Sequence, residues 1–376
     1  MEQTVKDKLI AIFTNHEDDV YCFRKELIEG LAAKGYQILI ACPYGNKLEL
    51  MKHVNFTYID TPIDRRGTNP IADLKLMRQY AKIIKKRKPD VVLTYTIKPN
   101  IYGGMMCSML HTPYIPHITG LGSAVENGGV MQKAVLTLYR IGLKKSDCVF
   151  FQNTKNENFM SDSGIASGKH VLVPGSGVNI KLHCLEEYPE VNSEIRILFI
   201  GRIMKEKGVN ELLESAEIIK KKFPRVQFDL VGWVEEEYQQ ILKAYQDRGI
   251  INYHGRQNDV HSFIKRSHAT VLPSYHEGMS NVLLESASTG RPVLASNIAG
   301  CKETFDEGIS GFGFEKKNVD DLVDKLEKFI ELPYEKKKAM GLAGRIKVER
   351  QFDRDIVVNS YMKEIERICR KPWGDK

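Results

Sequence analysis

Two stretches of this chain carry residue types able to handle a phosphorylated ligand. The first is Gly201-Arg202-Ile203-Met204-Lys205-Glu206-Lys207-Gly208. The Arg202 guanidinium and the Lys207 ammonium could neutralise a diphosphate as charge develops on it as a leaving group. The second is His276-Glu277-Gly278-Met279-Ser280-Asn281-Val282-Leu283-Leu284-Glu285. Gly278 permits a tight turn, and Ser280 suits the N-cap of a following helix. The N–H groups of Asn281, Val282 and Leu283 would then lack intrahelical acceptors, and the helix dipole would favour an anion there. Glu285 could accept hydrogen bonds from a ribose, and Glu277 from another sugar. Each stretch taken alone also reads as plain surface, a basic loop before a helix or a helix with two solvated glutamates.

A third candidate is Thr119-Gly120-Leu121-Gly122-Ser123, whose glycines would let backbone approach a ligand. His117 precedes it. A lone histidine there is more often structural than a group for proton transfer. Val125 occupies the last glycine position of a G-x-G-x-x-G pattern, and the first apolar run leads into Thr14-Asn15-His16-Glu17 without glycine. A dinucleotide cofactor is therefore not expected. The ten histidines are scattered, H-E-x-x-H and C-x-x-C are absent, and no metal site is expected. Pro174-Gly175-Ser176-Gly177 has the wrong spacing for a nucleophile elbow.

These loops need strands to aim them. Short apolar runs, several rich in Val and Ile, predict strands at Leu9–Phe13, Ile38–Ala41, Phe56–Ile59, Val91–Tyr95, Tyr114–Ile118, Cys148–Gln152 and Val171–Val173. A second series is Ile197–Ile200, Gln227–Val231, Ile251–His254, Thr270–Leu272 and Val293–Ala295. Helix-length stretches lie between them, including Tyr21–Lys34, Asp73–Lys86, Val209–Lys222 and Val282–Thr289. Such alternation predicts an α/β protein with parallel sheets covered by helices. The rhythm breaks at residues 174–194, a polar, turn-rich segment. Two Rossmann-like domains are expected, 1–185 and 186–352, with a final helix in 353–376 returning to the first. The length of 376 residues suits two domains.

Hydrophobic residues make up 42% and charged residues 27%, which excludes collagen-like, wholly disordered and disulfide-scaffold classes. No apolar run approaches a membrane span, and the stretch MEQTVKDKLIAIFTN has only a short apolar run, so no secretory leader is expected. Seven cysteines, an odd number, fit a reducing cytoplasm. The net charge of +7 is concentrated early: residues 1–188 carry 24 Lys and Arg against 18 Asp and Glu, the remainder 31 against 30. The densest run is Lys82–Lys88. It reads as a solvated helix end, or as a contact for an anionic membrane or a phosphate-bearing acceptor. No basic-aromatic motif accompanies it, so nucleic acid is not an expected partner. The stretch Val130–Lys145, apolar with interspersed basic residues, suits either a core-facing helix or a bilayer interface.

The loops together resemble the retaining nucleotide-sugar glycosyltransferases of glycosyltransferase family 4. The resemblance rests on G-R-x₄-K-G at Gly201–Gly208, E-x₇-E at Glu277–Glu285 and G-R-P-V-x-x-S at Gly290–Ser296. The G-S-G-V-N turn, Gly175–Asn179, adds to it. Residues Thr94–Gly103 look like members that build bacterial surface polysaccharides on a polyprenyl-diphosphate carrier.

This resemblance implies the GT-B fold, two Rossmann-like domains facing a central cleft. It implies a UDP-sugar donor, a glycan acceptor on a lipid diphosphate, retention by a front-face route and no required cofactor or metal. Arg202 and Lys207 would hold the diphosphate, Glu285 the ribose and Glu277 the transferred sugar. Backbone at Gly201, Met279, Ser280, Asn281 and Val282 would contact sugar and phosphate, Arg256 the base, and Gly122 the donor from the N-terminal side. His117 is carried as a further catalytic candidate. The expected location is cytoplasmic, with peripheral contact to the inner face of the membrane. Asn15-His16 departs from the Gly-Gly loop of many relatives, which leaves acceptor contacts open. An epimerase or hydrolase on the same fold, or a non-catalytic nucleotide-sugar-binding partner, are the alternatives.

Overall fold

The computed structural model describes residues 8–64, 67, 69–122, 125, 128–190 and 194–370. These divide into two compact units. One runs through Ser176 and resumes at Asp355, and the other is Gly177–Arg354. The sequence places the first boundary later, at 185/186. The segment after Gly177 goes with the second unit because Val178 pairs with Asp353 and exchanges backbone hydrogen bonds with Phe352 and Arg354. Gly177 has φ 68°, and a Cβ there would lie 2.5 Å from the Arg354 Cα. The turn therefore needs a residue free to adopt the left-handed region without a side chain.

The first unit is built on seven parallel strands: β1 Leu9–Phe13, β2 Gln37–Cys42, β3 Thr57–Asp60, β4 Val91–Tyr95, β5 Tyr114–Ile118, β6 Val149–Phe151 and β7 His170–Leu172. Their order is β3-β2-β1-β4-β5-β6-β7. The central strands β4 and β5 are buried throughout, as expected for a sheet covered on both faces. Helix Arg354–Cys369 enters this core through Val357, Tyr361, Met362 and Ile365.

The second unit has six parallel strands: β8 Ile195–Ile200, β9 Val226–Val231, β10 Asn252–Tyr253, β11 Ala269–Leu272, β12 Val293–Ser296 and β13 Gly311–Phe314. The order is β10-β9-β8-β11-β12-β13. β13 is absent from the sequence reading because Gly-Phe-Gly-Phe lacks β-branched residues. Gly311 lies against the Val293 carbonyl, where a Cβ would collide, so the strand owes its place to close backbone approach.

Candidate functional site

In the second sheet β8 and β11 are neighbours. From that pair the chain proceeds outward in opposite directions, β9 and β10 on one side, β12 and β13 on the other. Open parallel sheets bind ligands at the carboxyl ends of strands where the order reverses. β8 ends in the loop Gly201–Gly208, and β11 ends in the segment leading to Ser280.

The two loops are fastened to each other. Lys207 Nζ donates to Glu277 Oε1, which also accepts from Ser274 Oγ at 2.8 Å. Tyr275 N–H donates to the Glu206 carbonyl at 2.9 Å. Gly208 has φ 68° and lies against the Pro273 carbonyl, leaving no room for a Cβ. From the β12 side Gly300 also comes close, since a Cβ on it would be 2.6 Å from the Gly278 carbonyl. The Gly300 carbonyl accepts from Ser280 N–H at 2.8 Å.

Ser280 is the N-cap of helix Asn281–Ser288, and its Oγ accepts from Leu283 N–H at 3.4 Å. Asn281 and Val282 carry the first-turn N–H groups, which have no acceptor within the helix. Asn281 Oδ1 has no hydrogen-bond partner among the described residues. Met279 and Ser280 are buried, Lys207 and Glu277 half-buried, and Arg202 exposed. The arrangement offers fixed donors and two cations for an anion, with a carboxylate beside them.

Glu285 lies one turn along the same helix. Its Oε1 stands 4.0 Å from His183 Nε2, and its side chain is 19% exposed. Burial pushes its carboxyl up to about 7, against a smaller opposing pull from Arg354. A poorly solvated carboxyl with little compensating charge gains by accepting hydroxyl hydrogen bonds. Gly201 N–H donates to the Val231 carbonyl at 2.9 Å. Arg256 is exposed after Gly255, whose carbonyl accepts from Gly232 N–H at 2.9 Å, so it follows the end of β10.

His117 and Gly122 belong to the first unit. His117 is fully buried, ringed by Tyr95, Phe150 and Tyr361. Its Nδ1 accepts from Tyr361 Oη at 2.5 Å, with Arg24 Nη2 at 3.4 Å. Its Nε2 has no partner among the described residues. Burial, with Arg24 adding to it, holds the ring well below its ordinary pKa and hence neutral at pH 7. This geometry gives a core histidine with no direct access to a ligand. Gly122 has φ 75° beside Ile97. Ser123, the last residue of its motif, lies outside the described residues.

Arg291 has an importance the sequence reading did not assign. It is wholly buried, and its guanidinium donates to the carbonyls of Ile264, Lys265, Glu186, Glu187, Thr289 and Gly290. The only signal was its place in the G-R-P-V motif. A carbonyl-binding arginine leaves no partner pattern in sequence.

A model described as "Glycosyl transferases group 1" matches residues 185–347, and one described as "Glycosyl transferase 4-like" matches residues 10–153. Two parallel α/β units with these matches define a glycosyltransferase of the GT-B fold. Solved structures agree on the fold. A sucrose-phosphate synthase from Thermosynechococcus elongatus has TM-score 0.80 at 18% identity, covering 96% of this chain and 98% of that one. An Anabaena protein in complex with UDP and glucose has TM-score 0.78 at 15% identity, covering 96% and 99%. The chain belongs to the group 1, family 4-like glycosyltransferases.

It is similar to the N,N'-diacetylbacillosaminyl-diphospho-undecaprenol α-1,3-N-acetylgalactosaminyltransferase of Campylobacter jejuni, 25% identical over 96% of this chain and 99% of that one. It is also similar to a capsular polysaccharide biosynthesis glycosyltransferase of Staphylococcus aureus, 26% identical over 90% and 94%. An Escherichia coli UDP-Gal:α-D-GlcNAc-diphosphoundecaprenol α-1,3-galactosyltransferase is 26% identical over 69% and 71%.

Proposed function

We propose that this chain transfers a hexose or N-acetylhexosamine from a UDP-sugar to a glycan carried on polyprenyl diphosphate, with retention at the anomeric carbon. The observation that carries the reading is the Lys207–Glu277 ion pair at the switch point of the second sheet, beside the open first turn of helix Asn281–Ser288. The relatives that use undecaprenyl-diphosphate acceptors support the acceptor class.

Arg202, Lys207 and the N–H groups of Asn281 and Val282 meet the donor diphosphate. Their charge is felt most as the bond from the sugar C1 to the UDP oxygen breaks, which is where it lowers the barrier. The acceptor hydroxyl forms the new bond on the same face, and its proton passes to the departing phosphate oxygen. Glu277 orients Lys207 and accepts from hydroxyls of the transferred sugar. Glu285 takes the ribose hydroxyls. The main chain around Arg256 takes the base.

A membrane-borne acceptor is supported by helix Gly129–Leu143. It exposes Val130, Met131 and Ile141 together with Lys133 and Arg140, while Lys144 and Lys145 follow, also exposed. Among the described residues no helix is long and apolar enough to cross a membrane. Contact would therefore be peripheral, and flotation with anionic vesicles tests it. Failure to float at low salt would remove it.

The test of the donor is a thermal-shift panel of UDP, GDP, ADP, CMP and NAD on wild type and Glu285→Ala. Ligand at ~100 times its dissociation constant adds ~2.7 kcal/mol, enough to move a melting curve. A UDP shift abolished in Glu285→Ala is expected. A shift with NAD alone would overturn the transferase site.

A further inference from the structure

Beside Glu285, but outside the residues assigned to transfer, lies a group of three different metal-binding side chains. Cys184, Glu186 and His261 each present one ligand atom, and these atoms lie within 4.8 Å of one another. His261 Nε2 stands 3.2 Å from Glu186 Oε1, and Cys184 Sγ stands 3.6 Å from the same oxygen. The geometry points to a site for a thiophilic divalent cation, Zn²⁺ by its chemistry, held by Cys184, Glu186 and His261.

The spacing is the first argument. Zinc takes sulfur at ~2.3 Å, imidazole nitrogen at ~2.0–2.1 Å and carboxylate oxygen at ~2.0–2.2 Å, usually in a tetrahedron. Those bond lengths put the nitrogen–oxygen edge at about 3.3 Å and the sulfur–oxygen edge at about 3.6 Å. Both edges are already present, and the sulfur–nitrogen edge lies within 4.8 Å. The donor set is the second argument. Thiolate, imidazole and carboxylate together favour zinc over magnesium or calcium, which prefer oxygen alone.

The surroundings are the third argument. Glu186 Oε2 is held by Lys265 Nζ at 2.9 Å, so Oε1 is turned toward the other two ligands. The Glu186 backbone is fixed as well, because its carbonyl accepts from Arg291 Nη1 at 3.2 Å. Outer partners of this kind orient ligands and raise affinity. Cys184 is the exposed one of the seven cysteines, which gives the cation a way in.

Three protein ligands leave one coordination position for water, the pattern of an exchangeable site rather than a closed structural one. The site stands on geometry independent of the donor reading. His183 connects the two regions: its ring packs edge-on against His261 at 5.5 Å, and its Nε2 faces Glu285.

The test is titration of the reduced full-length chain with Co²⁺ as a spectroscopic stand-in, followed by Zn²⁺ displacement. One equivalent is expected to bind with a thiolate-to-cobalt charge-transfer band that zinc removes. Cys184→Ser should abolish that band, and His261→Ala should weaken binding at least about tenfold. Circular dichroism checks that both variants fold, and Lys265→Ala should retain the charge-transfer band. The proposal is overturned if binding does not saturate at one equivalent, or if the band survives Cys184→Ser or His261→Ala leaves the affinity unchanged.

Discussion

Replacing Glu285 by glutamine should make the protein more stable and a worse binder of donor at once. The carboxyl rises from its ordinary 4.5 to about 7 because the fold strips water from it and the Arg354 charge offsets only a fraction of that loss. Each factor of ten in proton affinity is worth ~1.4 kcal/mol, so keeping the group ionised costs the fold about 3 kcal/mol. The sign follows from proton counts. Between pH 4.5 and 7 the unfolded chain has released the proton while the native chain keeps it, so wild-type stability falls as pH rises. Glutamine does not titrate. The variant should match wild type near pH 4, gain steadily to pH 7 and stay ahead above it. A unit of this size moves its midpoint ~2–4 °C per kcal/mol, so an advantage of about 6–12 °C is expected at pH 8. Scanning calorimetry at pH 4.5 and pH 8 reads it directly. UDP affinity should fall 10–100-fold at pH 8, as befits the loss of hydrogen bonds to a charged acceptor, ~1.5–3 kcal/mol. A variant less stable than wild type at pH 8, or one whose advantage is the same at both pH values, refutes the reasoning.

Other substitutions probe the rest of the molecule. Lys207→Ala should lower kcat about 100-fold or more while changing donor affinity only a few-fold, because the charge is needed most in the transition state; unchanged turnover would remove Lys207 from that role. Tyr361→Phe takes away the hydroxyl that donates to His117 Nδ1. It should cost about 1–3 kcal/mol in urea unfolding, with little effect on UDP affinity. Gly208→Ala puts a methyl against the Pro273 carbonyl at a left-handed φ. It should cost more than ~1 kcal/mol and loosen the junction of the two loops, visible as weaker UDP binding. Arg291→Met leaves a set of buried carbonyls without a donor, and a loss of about 3 kcal/mol or more is expected in the same unfolding assay.

The sheets were legible because their strands are apolar runs set between turn signals. Leu9–Phe13, Val91–Tyr95 and Tyr114–Ile118 fall where the pattern predicts. Ser280 reads as an N-cap and is one. The pairing of Lys207 with Glu277 joins residues far apart in sequence, and nothing in the spacing announces it. The Glu285 carboxyl is unusual through burial, with His183 and Arg354 brought near it from distant stretches of the chain, and composition carries no trace of that. His117 stands at the end of a strand, where a catalytic group also stands, and burial under Tyr361 from a helix far along the chain distinguishes the cases. The Cys184, Glu186 and His261 group was missed for a similar reason. Its members span a long stretch of sequence with no metal-ligand spacing.

Arg291 gathers carbonyls from the segment of Glu186 and Glu187, from the end of helix His261–Arg266 and from the turn after helix Asn281–Ser288. Those three segments cannot detach independently, since any departure strands the same buried guanidinium. Their amides should therefore exchange with deuterium together, at a single slow rate, rather than fraying as separate loops. On the proposed donor reading, a nucleotide arriving at Glu285 would meet a wall that is already ordered, and its binding entropy would include little penalty for freezing protein backbone.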